Sequence, residues 1–292
     1  MKAVFLSDVH LKDPDGAHYD RLLRFFDGLR GRSQAGPAGT PDGGPRGRAA
    51  GTPRPAEGRD GRNDAPPANP AAGPSPPPEG ITLDRLVIAG DFFDFWFSKG
   101  ETIYHGFREI VDRLAALKRQ GVRIHLCEGN HDFFLDDYFS HRQGFDVHAE
   151  WAELDLDGLR VLAAHGDTVD AGNHRYLALR AFLRSPGTRR LEQILPRSVI
   201  WPLARFWSKM SRRMAREPQG RLVEVMHRFA EAKFRQGYDA VILGHCHDLL
   251  MKQTFLAGRE RTFVTLGDWM THGSYLIYED GRFTLRHIPP GG

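Results

Sequence analysis

The run Leu86-Val87-Ile88-Ala89-Gly90-Asp91-Phe92-Phe93-Asp94 decides how the remainder of the chain is read. Consecutive aliphatic residues rich in β-branching favour a strand buried on both faces. The glycine that follows lets the backbone turn sharply and approach a ligand closely. Carboxylates come at once after it. The same form, an apolar run ending in polar donor types, recurs at Asp8-Val9-His10, Gly129-Asn130-His131-Asp132, Ala164-His165-Gly166-Asp167 and Gly244-His245-Cys246-His247. If these strands share a direction, their carboxyl ends converge on one crevice, where α/β sheets place their ligands.

Outward from these runs the chain alternates between strand and helix patterns, which predicts an α/β fold. Met1 to Leu6 reads as a buried strand, because Asp8 and His10 interrupt it before an apolar run of cleavable length. A helix is expected from Tyr19 to Leu29, a strand at Leu86–Ala89, a helix from Ile103 to Gln120 and a strand at Val122–Cys127. Trp151–Leu156 and Leu159–Ala164 flank an Asp157-Gly158 turn and predict a hairpin. Residues 171–236 read as helical, with breaks near Pro186, Pro196, Pro202 and Pro218. Strands return at Ala240–Leu243, near Phe263–Leu266 and in a pair around Asp280-Gly281.

Residues 31–80 are almost wholly Gly, Pro, Ala, Arg, Ser, Thr and acidic, with no aromatic residue and no apolar period. Such a segment cannot offset its ordering entropy and is expected to be a disordered insertion. The catalytic domain is therefore assigned to 1–30 and 81–292, with 171–236 as a helical insertion within it.

A chain of 292 residues with 40% hydrophobic content can bury a sizeable core. Its 40 basic and 37 acidic residues leave a formal charge of +3, which does not suggest a nucleic-acid binder as a whole. Cys127 and Cys246 are the only cysteines and lie in apolar segments, which excludes a disulfide framework and suits a reducing compartment. No window approaches the ~18 apolar residues needed to span a bilayer.

The donor set mixes carboxylates, a side-chain amide and imidazoles. That mixture suits Mn, Fe or Zn better than Ca or Mg. It also holds more ligands than one ion needs, whereas a dinuclear site clamping one phosphoryl group uses them all. Any one cluster alone also fits a turn with a satisfied side chain. Five in this order point to a metal cage.

The order of clusters resembles the calcineurin-like metallophosphoesterase superfamily from Lys2 to about His287, outside the Gly/Pro-rich insertion. The resemblance implies an α/β, four-layer α-β-β-α metallophosphoesterase sandwich with a helical lid insertion. It implies one divalent ion on Asp8, His10 and His247, a second on Asn130, His165 and His245, and Asp91 bridging them. Water would attack phosphorus in line while the cations neutralise developing charge. His131 would donate a proton or hydrogen bond to the phosphoryl or leaving oxygen, with Asp94 orienting its ring. Asp132 and Asp167 are expected to accept backbone N–H groups in their loops, and Cys246 to point away from the ligands beside it.

From Ala171 to Gln236 there are 15 Lys plus Arg against 4 Asp plus Glu, in a chain whose formal total is +3. The positive charge is localised here. Phe182, Leu183, Ile200, Trp201, Leu203, Phe206, Trp207 and Met210 are spaced to give helices an apolar face. Three readings stay open on these residues: a subdomain packed on the core with solvated arginines, a nucleic-acid surface, and an acyl-lined lid with a basic rim.

A finer resemblance rests on Gly90–Phe97, His165-Gly166-Asp167-Thr168, Tyr176, Phe206-Trp207-Ser208-Lys209 and Leu266-Gly267-Asp268-Trp269. Together they are similar to the UDP-2,3-diacylglucosamine pyrophosphohydrolases of lipid A biosynthesis. That likeness implies cleavage of a sugar-nucleotide diphosphate to UMP and 2,3-diacylglucosamine 1-phosphate, usually with Mn2+, by an enzyme peripheral on the cytoplasmic face of the inner membrane. It implies an anionic nucleotide-lipid substrate, no stable nucleic-acid partner, Asn173 and Tyr176 in substrate binding, and a lid over the acyl chains. One branch of that family carries Arg where this chain has His131, the ordinary superfamily residue. A phosphomonoesterase, a phosphodiesterase or nuclease, and a non-catalytic binding module on the same fold are the rival expectations.

Overall fold

The computed structural model describes residues 1–12, 14, 16–30, 83–99, 102–196, 199 and 220–288. The expected disordered insertion at 31–80 lies outside the described residues, as do Ile200, Trp201, Leu203, Phe206, Trp207, Ser208, Lys209 and Met210.

Strand β1 (Lys2–Leu6) is followed by α1 (Ala17–Leu29), β2 (Arg85–Ala89), a small hairpin of β3 (Ser98–Lys99) and β4 (Thr102–Ile103), α2 (Arg108–Arg119), β5 (Arg123–Cys127) and β6 (Asp146–His148). Next come β7 (Trp151–Leu156), β8 (Leu159–Ala164), α3 (His174–Leu183), α4 (Pro186–Ile194), α5 (Arg221–Arg235), β9 (Ala240–Leu243), β10 (Leu249–Leu256), β11 (Arg259–Leu266), β12 (Ser274–Glu279) and β13 (Arg282–His287).

The strands form two large mixed sheets, ordered β13-β12-β1-β2-β5-β6 and β10-β11-β9-β8-β7. In the first, β1, β2, β5 and β6 run parallel, and in the second β8, β9 and β11 do. Alternation sorts their side chains into layers. Along β1, Val4 and Leu6 join Leu22, Phe25, Leu114 and Leu117 of α1 and α2 in one core, while Ala3 and Phe5 face Leu154, Val161 and Ile242 of the second sheet in another. A third core lies beyond the second sheet, where Met226, Ala230 and Phe234 of α5 cover Leu162, Val241 and Phe263. Helix, sheet, sheet and helix make the expected four layers. No helix of the described residues is long and apolar enough to cross a membrane.

Three local departures from the sequence pattern have physical causes. Ile103, expected as the start of a helix, pairs instead with Ser98 in a short hairpin, and the regular helix begins at Arg108 after a 3-10 turn. The edge strand β10 carried no signal, since Leu249-Leu250-Met251 and Phe255-Leu256 break the period-2 pattern and its hairpin turn is Ala257-Gly258, both left-handed at φ 52° and 74°. Residues 171–236 also divide. Helix α5 forms the fourth layer, because its apolar face is buried against the second sheet, whereas α3 and α4 carry the exposed Phe182, Leu191 and Ile194.

Candidate metal centre

Because the parallel strands of both sheets end at the same rim, six strand exits meet: those of β1, β2, β5, β8, β9 and β11. Backbone bonds stitch them together. His10 N donates to Asp91 O (2.9 Å), Gly244 N to His165 O (3.0 Å) and Trp269 N to Asp8 O (3.1 Å). Across the sheets, His245 N donates to the Asp8 carboxylate at 2.9 Å. The turns are tight enough that Asp8, His10, Asp91, His245 and His247 all adopt positive φ, between 48° and 68°. Asp and His tolerate this region better than most side chains, at on the order of 1 kcal/mol each.

The seven residues expected as ligands come together. Asp8 Oδ1 lies 3.8 Å from His10 Nε2 and 3.5 Å from His247 Nε2. Asp91 Oδ2 is 3.9 Å from His10 Nε2 and 3.4 Å from His165 Nε2. His165 Nε2 in turn is 2.9 Å from Asn130 Oδ1 and 3.1 Å from His245 Nδ1. Asp91 thus stands between two groups of donors, and Asp8-His10-His247 and Asp8-Asp91-His165 each have the closeness a metal ion requires. Asp8 Oδ1 is fully buried without a hydrogen-bond donor among the described residues, which is costly for a carboxylate unless a cation faces it. The donor set fits a divalent metal.

Glycine makes this approach possible. A Cβ on Gly129 would stand 2.1 Å from Asp91 Oδ1, and one on Gly244 2.5 Å from Asp8 Oδ2.

Around the donors the expected supporting residues divide. Asp132 accepts from the backbone N–H of Asp91, Phe92, Phe93 and Gly129 at 2.7 to 3.1 Å, holding two strand exits at once. Asp167 instead accepts from the Tyr176 hydroxyl (2.5 Å) and Arg180 Nε (2.7 Å), so it anchors α3 rather than its own loop. His131 Nδ1 is 3.1 Å from the backbone carbonyl of Asp94 and 3.7 Å from its carboxylate. The carbonyl is therefore the direct acceptor. Asn173 caps α3, accepting from Tyr176 N at 3.2 Å, and Tyr176 is buried along a crevice shared with Asn130, Phe133, Leu179 and Arg180. Cys246 packs beside the α5 core. The Asp268 carboxylate, outside the expected donor set, lies 3.8 Å from His247 Nδ1. Its signal was present, since Leu266-Gly267-Asp268 repeats the strand-Gly-Asp form.

Burial pushes the Asp8 carboxyl up to about 6 and raises Asp91 well above the usual range, with Asp132 and Asp8 adding repulsion. Burial also lowers His245 to about 4 and His165 well below its ordinary value, keeping both imidazoles neutral and able to bind metal. Without cations, the Asp8 shift removes stability as pH rises from its unfolded value near 4 through about 6. His245 contributes in the other sense: its stability is present above its unfolded value of about 6.5 and is lost as pH falls toward 4. A cation that binds carboxylate and neutral imidazole removes the first penalty. The stabilisation on adding Mn2+ to chelator-stripped protein, read as a rise in melting temperature, should grow between about pH 5.5 and about pH 7.5, where 100 times Kd corresponds to roughly 2.7 kcal/mol. An equal rise at both pH values would contradict this.

A model of the family described as "Calcineurin-like phosphoesterase" matches residues 65–249. Two curated proteins named "UDP-2,3-diacylglucosamine hydrolase" align closely in extent. That of Aeromonas salmonicida is 32% identical over 221 residues, 70% of this chain and 82% of its own. That of Azotobacter vinelandii is 30% identical over 208 residues, 70% and 86% respectively. Among solved structures, an archaeal phosphodiesterase matches with a TM-score of 0.42 at 12% identity, covering 98% of each chain.

Proposed function

Since the chain belongs to the calcineurin-like phosphoesterase family, we propose that it hydrolyses the pyrophosphate of UDP-2,3-diacylglucosamine, releasing UMP and 2,3-diacylglucosamine 1-phosphate. The observation that carries this reading is the buried, donor-free Asp8 Oδ1 at the meeting of six strand exits, in a chain aligned over most of the length of relatives named for that substrate.

Asp8, His10 and His247 would hold one divalent ion and Asn130, His165 and His245 another, with Asp91 shared, and Mn2+ is the ion we assign to both. Two such ions supply Lewis acidity at the phosphoryl group and activate water at neutral pH. The chain supplies geometry and a proton. A carbonyl only accepts, so the contact with Asp94 O requires the proton on His131 Nδ1. With the Asp94 carboxylate 3.7 Å from Nδ1, the ring in its protonated form would present Nε2–H to the leaving oxygen. Tyr176, pinned on Asp167, forms a wall of the crevice beside Asn130, and Asn173 sets the start of the helix that carries it.

For the acyl chains we assign α3 and α4, where Phe182 is 60%, Leu191 51% and Ile194 76% exposed. Apolar side chains on a basic segment suit an anionic lipid at a membrane surface. This supports a peripheral position on the cytoplasmic face.

The test offers purified Mn2+-loaded protein UDP-2,3-diacylglucosamine, unacylated UDP-glucosamine, a generic phosphodiester and single-stranded DNA. UMP released from the acylated substrate alone is the expected result. Equal cleavage of the unacylated nucleotide would remove the acyl-lid assignment. Turnover of the diester or DNA with no UMP from the lipid would sink the substrate assignment.

A further inference from the structure

We propose that Arg184 is a positioning residue for the reaction, holding the loop that carries Asn130 and His131 through a buried ion pair with Glu128 and a hydrogen bond to Gly129. This rests on the assignment of Asn130 and His131 under the proposed function.

Arg184 caps the C-terminus of α3 and lies 56 residues from its partner. Its Nη1 donates to Glu128 Oε2 at 2.6 Å and to Ala149 O at 3.3 Å, and its Nη2 donates to Gly129 O at 2.8 Å. Glu128 Oε1 accepts from Leu135 N at 2.9 Å. One guanidinium therefore ties the end of α3, both ends of the 128–135 loop and the β6–β7 connection. Only a planar, forked donor reaches these acceptors together, and lysine does not replace it. The side chains of Arg184 and Glu128 are 13% and 6% exposed, so the pair is shielded from solvent.

The consequence for the site follows from Gly129. The place its Cβ would take is 2.1 Å from Asp91 Oδ1, and the next residue, Asn130, lies 2.9 Å from His165 Nε2. Without Arg184 the buried Glu128 carboxylate loses its partner and Gly129 O loses its donor, so both turn toward water. That relaxation moves Gly129, and displacement of about 1 Å at a reacting centre is enough to slow it severely.

Arg189 of α4 is placed differently. Arg189 pairs with Asp136 and Asp137, groups that are 42% and 38% exposed, and lies over the Phe134 ring, outside the donor cluster among the described residues. It serves as the control.

The experiment compares Arg184→Ala, Arg184→Lys, Glu128→Gln and Arg189→Ala in the full chain. It measures kcat and KM on the acylated nucleotide, Mn2+ binding by titration calorimetry, and recovery with free guanidinium at non-denaturing concentration. Arg184→Ala should lower kcat by about tenfold or more and weaken one of the two Mn2+ sites by a comparable factor, leaving the other site near its original affinity. Guanidinium should restore part of both. Glu128→Gln should show the same split more mildly, Arg184→Lys should not recover kcat, and Arg189→Ala, which lies on a helix assigned to the acyl chains, is read by metal binding alone and should leave both Mn2+ affinities within about twofold of the parent chain, because exposed pairs contribute little. Unchanged kcat and Mn2+ affinity in Arg184→Ala would overturn the proposal. So would a loss of Mn2+ affinity matched by Arg189→Ala, or equal weakening of both ions without guanidinium recovery, because a general loosening of the fold gives that pattern. If the parent chain binds two ions but leaves the acylated nucleotide intact, the substrate assignment fails by itself, and the split in Mn2+ affinity still decides the role of Arg184.

Discussion

Asp91→Asn should lower kcat by roughly a thousandfold, about 4 kcal/mol of barrier, while making the metal-free fold more stable than the parent chain above about pH 6. The two effects have one origin. Asp91 is fully buried, and its Oδ2 sits between donors of both groups, 3.4 Å from His165 and 3.9 Å from His10. The amide keeps the shape and can still accept from His131 N, now 2.8 Å from Oδ1. It cannot supply the negative charge that two cations would share.

In the metal-free protein that charge is a burden, because burial and then the carboxylates of Asp132 and Asp8 hold Asp91 well above the usual range. A carboxyl whose folded pKa exceeds its unfolded value lowers stability once the pH passes the unfolded value, about 4. Removing it relieves the fold at neutral and alkaline pH. Steady-state rates with Mn2+ and denaturant melts in chelator, run on both chains, read the two effects together. Activity within about tenfold of the parent, roughly 1.4 kcal/mol, would refute the bridging role.

The second large effect is on folding. Asp132→Ala should destabilise the protein by about 4 kcal/mol or more, read from the urea midpoint at unchanged slope. Its carboxylate is buried and accepts four backbone N–H groups, from Asp91, Phe92, Phe93 and Gly129. Asp132 is fully buried, so alanine leaves those donors without an acceptor. Asp132→Asn retains one oxygen and should lose roughly half as much. A loss below about 1 kcal/mol for the alanine variant would show that the loop relaxes to satisfy itself, and that the exits of β2 and β5 are held by something else.

The strands β1, β2, β5, β8 and β9, with the polar exit of each, were legible as sequence because both signals are local. An apolar run of strand length and the donor residues that follow it are written in neighbouring positions. The edge strand β10 escaped because its turn, Ala257-Gly258, places an alanine where a left-handed turn usually shows Gly, Asn or Asp. Asp94 meets the His131 ring through its carbonyl, a choice between atoms of one residue that composition does not encode.

The sequence by itself therefore supplied the candidate donors, which are residue types at short spacing, and the resemblance of their order to a family that the comparisons show, with the class of reaction that goes with it. Only the tertiary structure decided that the exits of β8, β9 and β11 in one sheet face those of β1, β2 and β5 in the other, because that meeting depends on how two buried faces pack. It also decided that α5 is a structural layer, that Asp268 stands behind His247, and that Arg184 answers Glu128. Each of those is a partnership between residues far apart in the chain, and burial, which gives such pairs their strength, exists only once the layers have closed.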